Sequence, residues 1–304
     1  MSSGSDAAPY SEWSETCDTL HAHTQVLGKL AVALAPPEPQ LQHAALRLGA
    51  RGWETRLLPA PNGSGGIAAA LDLHDHEAIL RHTDGRVERV ALTPDRPVGD
   101  VARDVVAAAR RLAGEFGFDP TPQEVQWTVP LDEDDEHTRY DPGSVARYLA
   151  AATRAALVLA AFRAPYRGRS TPVNAWWGSF DLAVDLFSGL PAEPPSSGFI
   201  SRNSMDAQQF AFGWWPGDRR HDRAAFYAYA HPAPGDFAGL ELPLGGWNST
   251  LGEYVLDSDA LRQTSDPHAA ALDFGRAIFQ HACLVCGWDT GLGASAQGTP
   301  PPVR

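Results

Sequence analysis

Residues Thr171–Gly189 combine the side-chain types of a possible reactive site. If they form one β-strand with its two-residue period, one face of the strand is apolar apart from glycine, and the other carries an indole, a hydroxyl group and carboxylates. The first face would join a hydrophobic core, and the second would form the wall of a pocket. The apolar face consists of Trp176, Gly178, Phe180, Leu182, Val184 and Leu186, and the polar face of Trp177, Ser179, Asp181, Ala183 and Asp185.

Two later segments repeat this alternation. Small residues share a face with Trp215 in Phe210–Trp215, and the segment Ala225–His231 places two tyrosines on one face. If these strands neighbour the strand of Asp181, their faces would enclose an aromatic chamber around one carboxylate. The alternative is a solvent-facing sheet surface, which would expose an unusual apolar patch. The predicted substrate-binding residues are Trp177, Ser179, Trp215, Tyr227, Tyr229 and His21.

Asp181 is the predicted centre of acid–base chemistry. A carboxylate among aromatic rings loses solvation, which raises its pKa toward the neutral range, where it can give or take a proton. Glu136 and His137, adjacent in the acidic run Leu131–Asp141, and His76 are the other predicted catalytic residues. The acidic run could instead hold a divalent cation, but its spacing matches no calcium loop and is typical of a solvated turn.

The sequence predicts neither a metal nor a cofactor. His74 and His76 would share a strand face, a geometry compatible with a metal, but no third ligand is apparent. The glycines of Gly63–Gly66 join two strands instead of opening a helix, which does not fit a dinucleotide loop. No Gly-x-Ser-x-Gly elbow is present. We therefore expect neither nucleotide cofactors nor serine-hydrolase chemistry.

Charge and composition narrow the class of partner. The chain has 37 acidic and 24 basic residues and a formal net charge of -13, which disfavours nucleic acid and anionic membranes. A small-molecule substrate is the expected partner. The N-terminus lacks a signal-peptide pattern, and no run approaches the roughly 20 apolar residues of a membrane span. Three cysteines suit a reducing compartment. We expect a cytoplasmic protein, and its oligomeric state is not indicated.

Helix-start signals recur along the chain. Ser11 with its following glutamates, Asp100, and the pairs Asp141-Pro142 and Asp266-Pro267 each predict a helix. Short strand-like runs lie between these helices. The sequence thus predicts an α+β fold of mostly antiparallel sheets packed by long helices, in which two similar halves are possible.

Two further details concern the strands and the division of the chain. Asp84-Gly85 predicts a tight hairpin, and a strand is expected near Val125–Val129. The predicted division is a disordered N-terminus at 1–10, a first half at 11–130, a second half with the site at 131–288 and a disordered tail at 289–304.

The chain contains the segments His21–Gln25, Gly28-Lys29, Leu71–His76, Asp132–Asp134, Glu136-His137, Tyr140-Asp141, Trp177–Asp181, Trp215–Gly217 and Ala225–Tyr229. Together these segments resemble an uncharacterised bacterial family known only as a domain of unknown function. The resemblance implies no activity, because the family has no established catalytic residues. This chain has Pro39-Gln40-Leu41-Gln42 where the family carries Asn-His-Trp-Trp, and Ala207-Gln208 where it carries His-Glu. It therefore resembles a repurposed member with a more apolar cavity.

These observations favour a cofactor-independent enzyme that acts on a small, largely apolar organic substrate. Asp181 would move a proton in an isomerisation, cyclisation or related step, and aromatic faces would stabilise developing positive charge. Two alternatives stay open. The first is a non-catalytic binding or sequestering protein that uses the same chamber, and the second is a metal-dependent hydrolase based on the histidine and acid clusters.

Overall fold

A computed structural model describes residues 8–292 of the chain and confirms the α+β fold. The predicted disordered segments lie largely outside these residues; within the predicted tail, Thr290–Leu292 form a 3₁₀ turn. Two similar turns occur at Pro39–Leu41 and Phe237–Gly239. The described residues form six α-helices: α1 Tyr10–Leu34, α2 Val98–Ala113, α3 Pro142–Arg163, α4 Phe199–Ser204, α5 Ser258–Leu261 and α6 Pro267–Val285.

The first antiparallel sheet has the strand order β1-β2-β4-β5-β6, and β3 pairs with β4. The apolar faces of α1 and α2 pack against this sheet. The apolar residues of α2 recur with helical spacing and are buried, as at Val98, Val101 and Val105. The strands are β1 Arg47–Gly49, β2 Gly52–Glu54, β3 Leu58–Pro59, β4 Gly66–Asp72, β5 Glu77–His82 and β6 Val87–Ala91.

The second antiparallel sheet has the order β11-β12-β10-β9-β8-β7. Helix α6 packs against β10 and β12, and its residues Phe274, Ile278 and Ala282 are buried. The strands are β7 Asn174–Trp176, β8 Asp181–Pro191, β9 Ala207–Trp215, β10 Ala225–His231, β11 Gly246–Asn248 and β12 Glu253–Asp257.

The chain forms two compact units. The first comprises the described residues up to Thr153 together with Asn174–Leu182 and Trp215–Ala224, and the second comprises Arg154–Val173, Ala183–Trp214 and the described residues from Ala225 onward. These units do not coincide with the predicted division at residue 130. Two short later segments belong to the first unit, and sequence periodicity gives no sign of such returns.

Most of the helix-start and turn signals in the sequence lie where the structure has the predicted helices and hairpin. Helix α3 follows Asp141, and α6 follows Asp266, whose side chain accepts the N–H of Ala269. The Asp84-Gly85 hairpin joins β5 and β6. Asp100 is not a cap, because α2 already begins at Val98.

The expected strand near Val125–Val129 is wrong: these residues form no strand. The neighbouring prolines 120, 122 and 130 have no N–H groups to donate to a sheet. The nearby backbone of Gln123 bonds to a side chain instead, since its N–H donates to Oε1 of Gln25 over 2.8 Å.

Helix α3 corrects the expectation about membrane spans. By length and composition alone it could cross a membrane, with a mean hydropathy of 1.4 over its most apolar window. Half of that window is buried within the protein, and a core helix of a folded protein meets the same criteria.

Candidate functional site

The predicted single strand at Thr171–Gly189 is interrupted by a turn. Residues 177–180 separate β7 from β8, and Phe180 adopts a left-handed backbone with φ of 57°. Both faces of β8 are buried from Asp181 to Phe187, and Trp177 and Ser179 of the predicted polar face lie in the turn and not in the strand. The Phe180 ring explains the turn, because it packs within 5.5 Å, centroid to centroid, of three other rings, those of His21, Trp53 and Tyr148.

The turn brings Ser179 and Asp181 together. The Ser179 hydroxyl donates to Oδ1 of Asp181 over 2.5 Å. Asp181 is only 5% exposed, whereas Ser179 lies at the surface. The hydroxyl group of Ser179 therefore links the buried Asp181 carboxylate to the protein surface.

Glu124 is a second carboxylate in this site, and the sequence did not indicate it. The residue as a whole is exposed, but its carboxylate packs against buried Gly178, where a Cβ atom would overlap Oε2. Burial of this group, reinforced by the negative charge of Asp181, raises the pKa of Glu124 to about 7, against the opposing charge of Arg220. The rest of the residue is in solvent, so only the carboxylate end of the Glu124 side chain is in the environment that raises its pKa.

His21 on α1 forms hydrogen bonds with the turn at residues 177–180. Its Nε2 lies 2.9 Å from the carbonyl oxygen of Trp177 and 3.0 Å from that of Gly178, so Nε2 carries the proton and donates to them. Burial lowers the pKa of His21 to about 4, although these two bonds oppose the shift. The imidazole is therefore neutral near pH 7 and fixes the turn that carries Ser179.

Gln25, one helical turn after His21, anchors the loop that contains Glu124. Its side-chain amide donates to the carbonyl oxygen of Gln123 over 2.9 Å and accepts the N–H of the same residue over 2.8 Å. Gln25 is fully buried. This paired hydrogen bond fixes the backbone next to Glu124, which itself has a left-handed φ of 57°.

Trp127 connects His21 with a second acid–base pair. Its ring lies 5.3 Å from that of His21 and 4.6 Å from that of His137, measured between centroids. Nδ1 of His137 lies 2.7 Å from Oδ2 of Asp134, which is 1% exposed. Burial alone would favour a neutral imidazole, but the bond to Asp134 and its charge raise the pKa of His137 and lower that of Asp134.

The other predicted catalytic residues lie elsewhere in the first unit. Glu136 is exposed, and its backbone N–H donates to Asp134. His76 bonds through Nδ1 to the hydroxyl of Tyr140 at 3.1 Å. The expectation that His74 and His76 share a strand face is wrong, because both lie in the turn after β4 and His76 has a φ of 53°.

The two predicted tryptophans of the site belong to the first unit. The Trp177 ring covers Gly28 of α1, and its Nε1 donates to the carbonyl oxygen of Ala44 over 3.0 Å. Trp177 is 7% exposed, and the Trp215 ring lies 5.4 Å from that of His221. The indole of Trp177 is therefore a packed side chain with a satisfied N–H group.

The two predicted tyrosines belong to the second unit. The rings of Tyr227 and Tyr229 are stacked at 6.3 Å and 7° on the same face of β10. A Cβ atom at Gly213 of β9 would overlap the Tyr227 ring. The Tyr227 ring thus fills the space beside Gly213.

A surface groove of about 780 Å³ opens in the first unit, between the first turns of α1 and α3. Tyr140, the partner of His76, lies in its wall, but none of the predicted site residues does. In residues 8–292 no group of three or more His, Cys, Asp or Glu side chains is placed to hold a metal ion.

A family model described as a family of unknown function, DUF5996, matches residues 6–294. The chain belongs to this family. No curated protein and no solved structure matches it. Membership therefore confirms the resemblance to an uncharacterised family and assigns no reaction.

The arrangement around Asp181 can move protons. It combines a buried carboxylate that accepts a serine hydroxyl, a carboxyl group with a pKa of about 7 and a neutral histidine that fixes the connecting turn. A carboxyl group whose pKa is raised toward neutral by burial and by a second carboxylate is typical of acid–base sites.

Proposed function

We propose that this protein is a cofactor-independent enzyme that transfers a proton within a small, largely apolar organic substrate, in a reaction of the isomerase or cyclase type. The observation that carries the proposal is the position of the Glu124 carboxylate, which packs against Gly178 and is close enough to Asp181 for the two charges to interact. A carboxyl group whose pKa is about 7 is present in both protonation states at neutral pH.

The two carboxyl groups have different roles in this proposal. Ser179 takes a proton from a substrate carbon while its own hydroxyl proton passes to Asp181, and the protonated Glu124 gives a proton to another position of the substrate. Asp181 is then protonated and Glu124 is ionised, so transfer of one proton from Asp181 to Glu124 restores the starting state. His21 is a positioning residue, since its Nε2 bonds to backbone carbonyls.

The neighbouring rings support an apolar substrate. Trp127 and His137 are half-buried, and their rings are in contact. Trp127 lies in the same loop as Glu124, so a substrate could reach these rings from solvent beside that carboxylate. An indole face also stabilises a developing positive charge, as in a cyclisation through a cation. His137, whose pKa is raised by Asp134, is a second acid that such a substrate would contact.

Proton transfer is tested by exchange in deuterated water. The full-length protein is incubated with a panel of small apolar ketones and alkenes, and NMR detects deuterium incorporation or a shifted double bond. We expect Asp181→Asn and Glu124→Gln to reduce the rate by about 100-fold or more. The matched control is Asp135→Asn, which changes an exposed acid of the same unit.

The outcomes separate this proposal from its alternatives. Exchange that survives Asp181→Asn unchanged removes Asp181 from the mechanism. Tight binding of a panel member without exchange favours a binding or sequestering protein. Activity that EDTA abolishes favours a metal-dependent hydrolase.

A further inference from the structure

Ser64, His82 and Asp84 form a line of hydrogen-bonded groups in the first unit, separate from the site around Asp181. The Ser64 hydroxyl lies 3.1 Å from Nε2 of His82. Nδ1 of His82 lies 2.9 Å from Oδ1 of Asp84. A hydroxyl, an imidazole and a carboxylate joined in this order are the groups of a catalytic triad, which is recognised by geometry and not by chain position.

Two turns at one end of strands β4 and β5 hold these groups. Ser64 lies in the turn between β3 and β4, and the hairpin after β5 carries Asp84. The turns are joined by two bonds: Thr83 N–H donates to the carbonyl oxygen of Gly66, and the hydroxyl of Thr83 accepts the Gly66 N–H. The register that pairs Ile67 with His82 therefore places the serine beside the imidazole.

The burial of His82, the exposure of Ser64 and the charge of Asp84 fit the roles of base, nucleophile and orienting carboxylate. The side chain of His82 is fully buried, whereas Ser64 is exposed to an incoming substrate. The backbone N–H of Arg86, together with its guanidinium, lowers the pKa of Asp84 to about 2, so Asp84 is a carboxylate at neutral pH. Arg86 fixes the carboxylate, since its Nε donates to Oδ2 over 2.8 Å and its backbone N–H donates over 3.0 Å to Oδ1, the oxygen nearest His82.

The tautomer of His82 decides whether the serine is activated. Nδ1 also lies 3.2 Å from the backbone nitrogen of Asp84, which donates to it in one tautomer. The carboxylate is both nearer and charged, so we assign the proton to Nδ1. Nε2 then has a lone pair that accepts the hydroxyl proton of Ser64.

A backbone donor is available next to the nucleophile. The N–H of Gly65 donates to no acceptor within residues 8–292, whereas the N–H groups of Ser64 and Gly66 are already bonded. Gly65 has a φ of 132°, and a Cβ atom there would overlap the Thr83 hydroxyl, so this position requires glycine. Such a free N–H can stabilise the oxyanion of an acyl-transfer intermediate.

Against the expectation from sequence motifs, we propose that Ser64, His82 and Asp84 form a second catalytic site, which hydrolyses small acyl esters. Oγ of Ser64 attacks the ester carbonyl carbon while its proton passes to Nε2 of His82. The C–O bond of the leaving group breaks, and the departing alkoxide takes that proton and leaves as an alcohol.

Water completes the cycle. It attacks the acyl-serine ester and gives a proton to His82; the acyl–Oγ bond breaks, and the proton returns to Oγ. The products are a carboxylic acid and free Ser64. The site lies on an exposed turn, so its substrates are esters whose acyl group needs no deep pocket.

The test is covalent labelling of the full-length protein with a fluorophosphonate, followed by intact mass and peptide mapping, and hydrolysis of p-nitrophenyl acetate. We expect one adduct, on Ser64, and ester hydrolysis. Ser64→Ala should abolish both, and the control Ser249→Ala, at another exposed turn serine, should change neither. His82→Gln and Asp84→Asn should slow labelling by about 100-fold or more, whereas His74→Gln, at an exposed histidine, should not.

Because His82 is buried, its variant is compared only if its circular dichroism matches that of the wild-type protein. ¹⁵N NMR of His82 in the wild-type protein provides a measurement that needs no variant, and we expect protonation at Nδ1. The absence of an adduct on Ser64, equal hydrolysis by Ser64→Ala and Ser249→Ala, or a His82 protonated only at Nε2 would each overturn the proposal.

Discussion

The indole of Trp177 lies directly over Gly28 of α1. A Cβ atom at position 28 would overlap the Cγ, Cδ1 and Cδ2 atoms of that ring. Trp177 begins the turn whose carbonyl oxygens accept the His21 proton. The close approach of helix and turn thus supports the position of Ser179 and Asp181.

Gly28→Ala should therefore destabilise the protein. The new methyl group forces the Trp177 ring to move in a packed region, and overpacking of this kind costs about 1–3 kcal/mol. Chemical denaturation measures the loss. Gly117→Ala is the matched control, because nothing lies within 4 Å of a Cβ atom there. Equal stability of the two variants would contradict the close packing of Trp177.

Glu124→Gln should alter the dependence of stability on pH. The pKa of Glu124 is raised to about 7 in the folded protein, so the unfolded state loses its proton first as the pH rises. The stability of the wild-type protein relative to Glu124→Gln should thus fall between about pH 4.5 and pH 7. Denaturation at several pH values measures the difference, and a difference independent of pH would contradict the burial of this carboxylate.

Asp134→Asn should lower the pKa of His137, because it removes the charge and the acceptor that favour the imidazolium. NMR titration of His137 measures this change, and Asp135→Asn, at an exposed acid, should leave the titration nearly unchanged. Loss of the buried partner should also cost about 1–3 kcal/mol of stability near neutral pH.

The sign of the pH dependence follows from both groups of that pair. The raised pKa of His137 stabilises the fold at low pH, and this contribution is lost as the pH rises through the folded pKa. The lowered pKa of Asp134 stabilises the fold at higher pH, and this contribution is lost as the pH falls. The cost of Asp134→Asn should therefore be greatest between the two pKa values; a cost that kept growing with pH would argue against an ion pair.

Phe180→Ala should destabilise the protein by about 3–5 kcal/mol, the usual cost of truncating a buried phenylalanine. The ring is 3% exposed and stacks on His21, Trp53 and Tyr148. Because φ is 57° at this position, Phe180→Gly should be at least as stable as Phe180→Ala. A glycine variant clearly less stable than the alanine variant in thermal unfolding would contradict the left-handed backbone.

Local signals in the sequence determined most elements of the fold. Asp141-Pro142 and Asp266-Pro267 start α3 and α6, and Asp84-Gly85 makes a hairpin, because capping and turn geometry depend on neighbouring residues alone. The α+β class follows from these elements. Residue type also singled out Asp181, His21 and His137 as groups able to do chemistry.

Only the tertiary structure decided how these groups are combined. The turn at residues 177–180 exists because Phe180 stacks on rings from distant segments, a contact that overrides strand alternation. Glu124 acquires its raised pKa from Gly178 and Asp181, more than 50 positions away. Ser64 meets His82 only through the register of the first sheet. Burial, charge coupling and register act through space, so a one-dimensional pattern does not contain them.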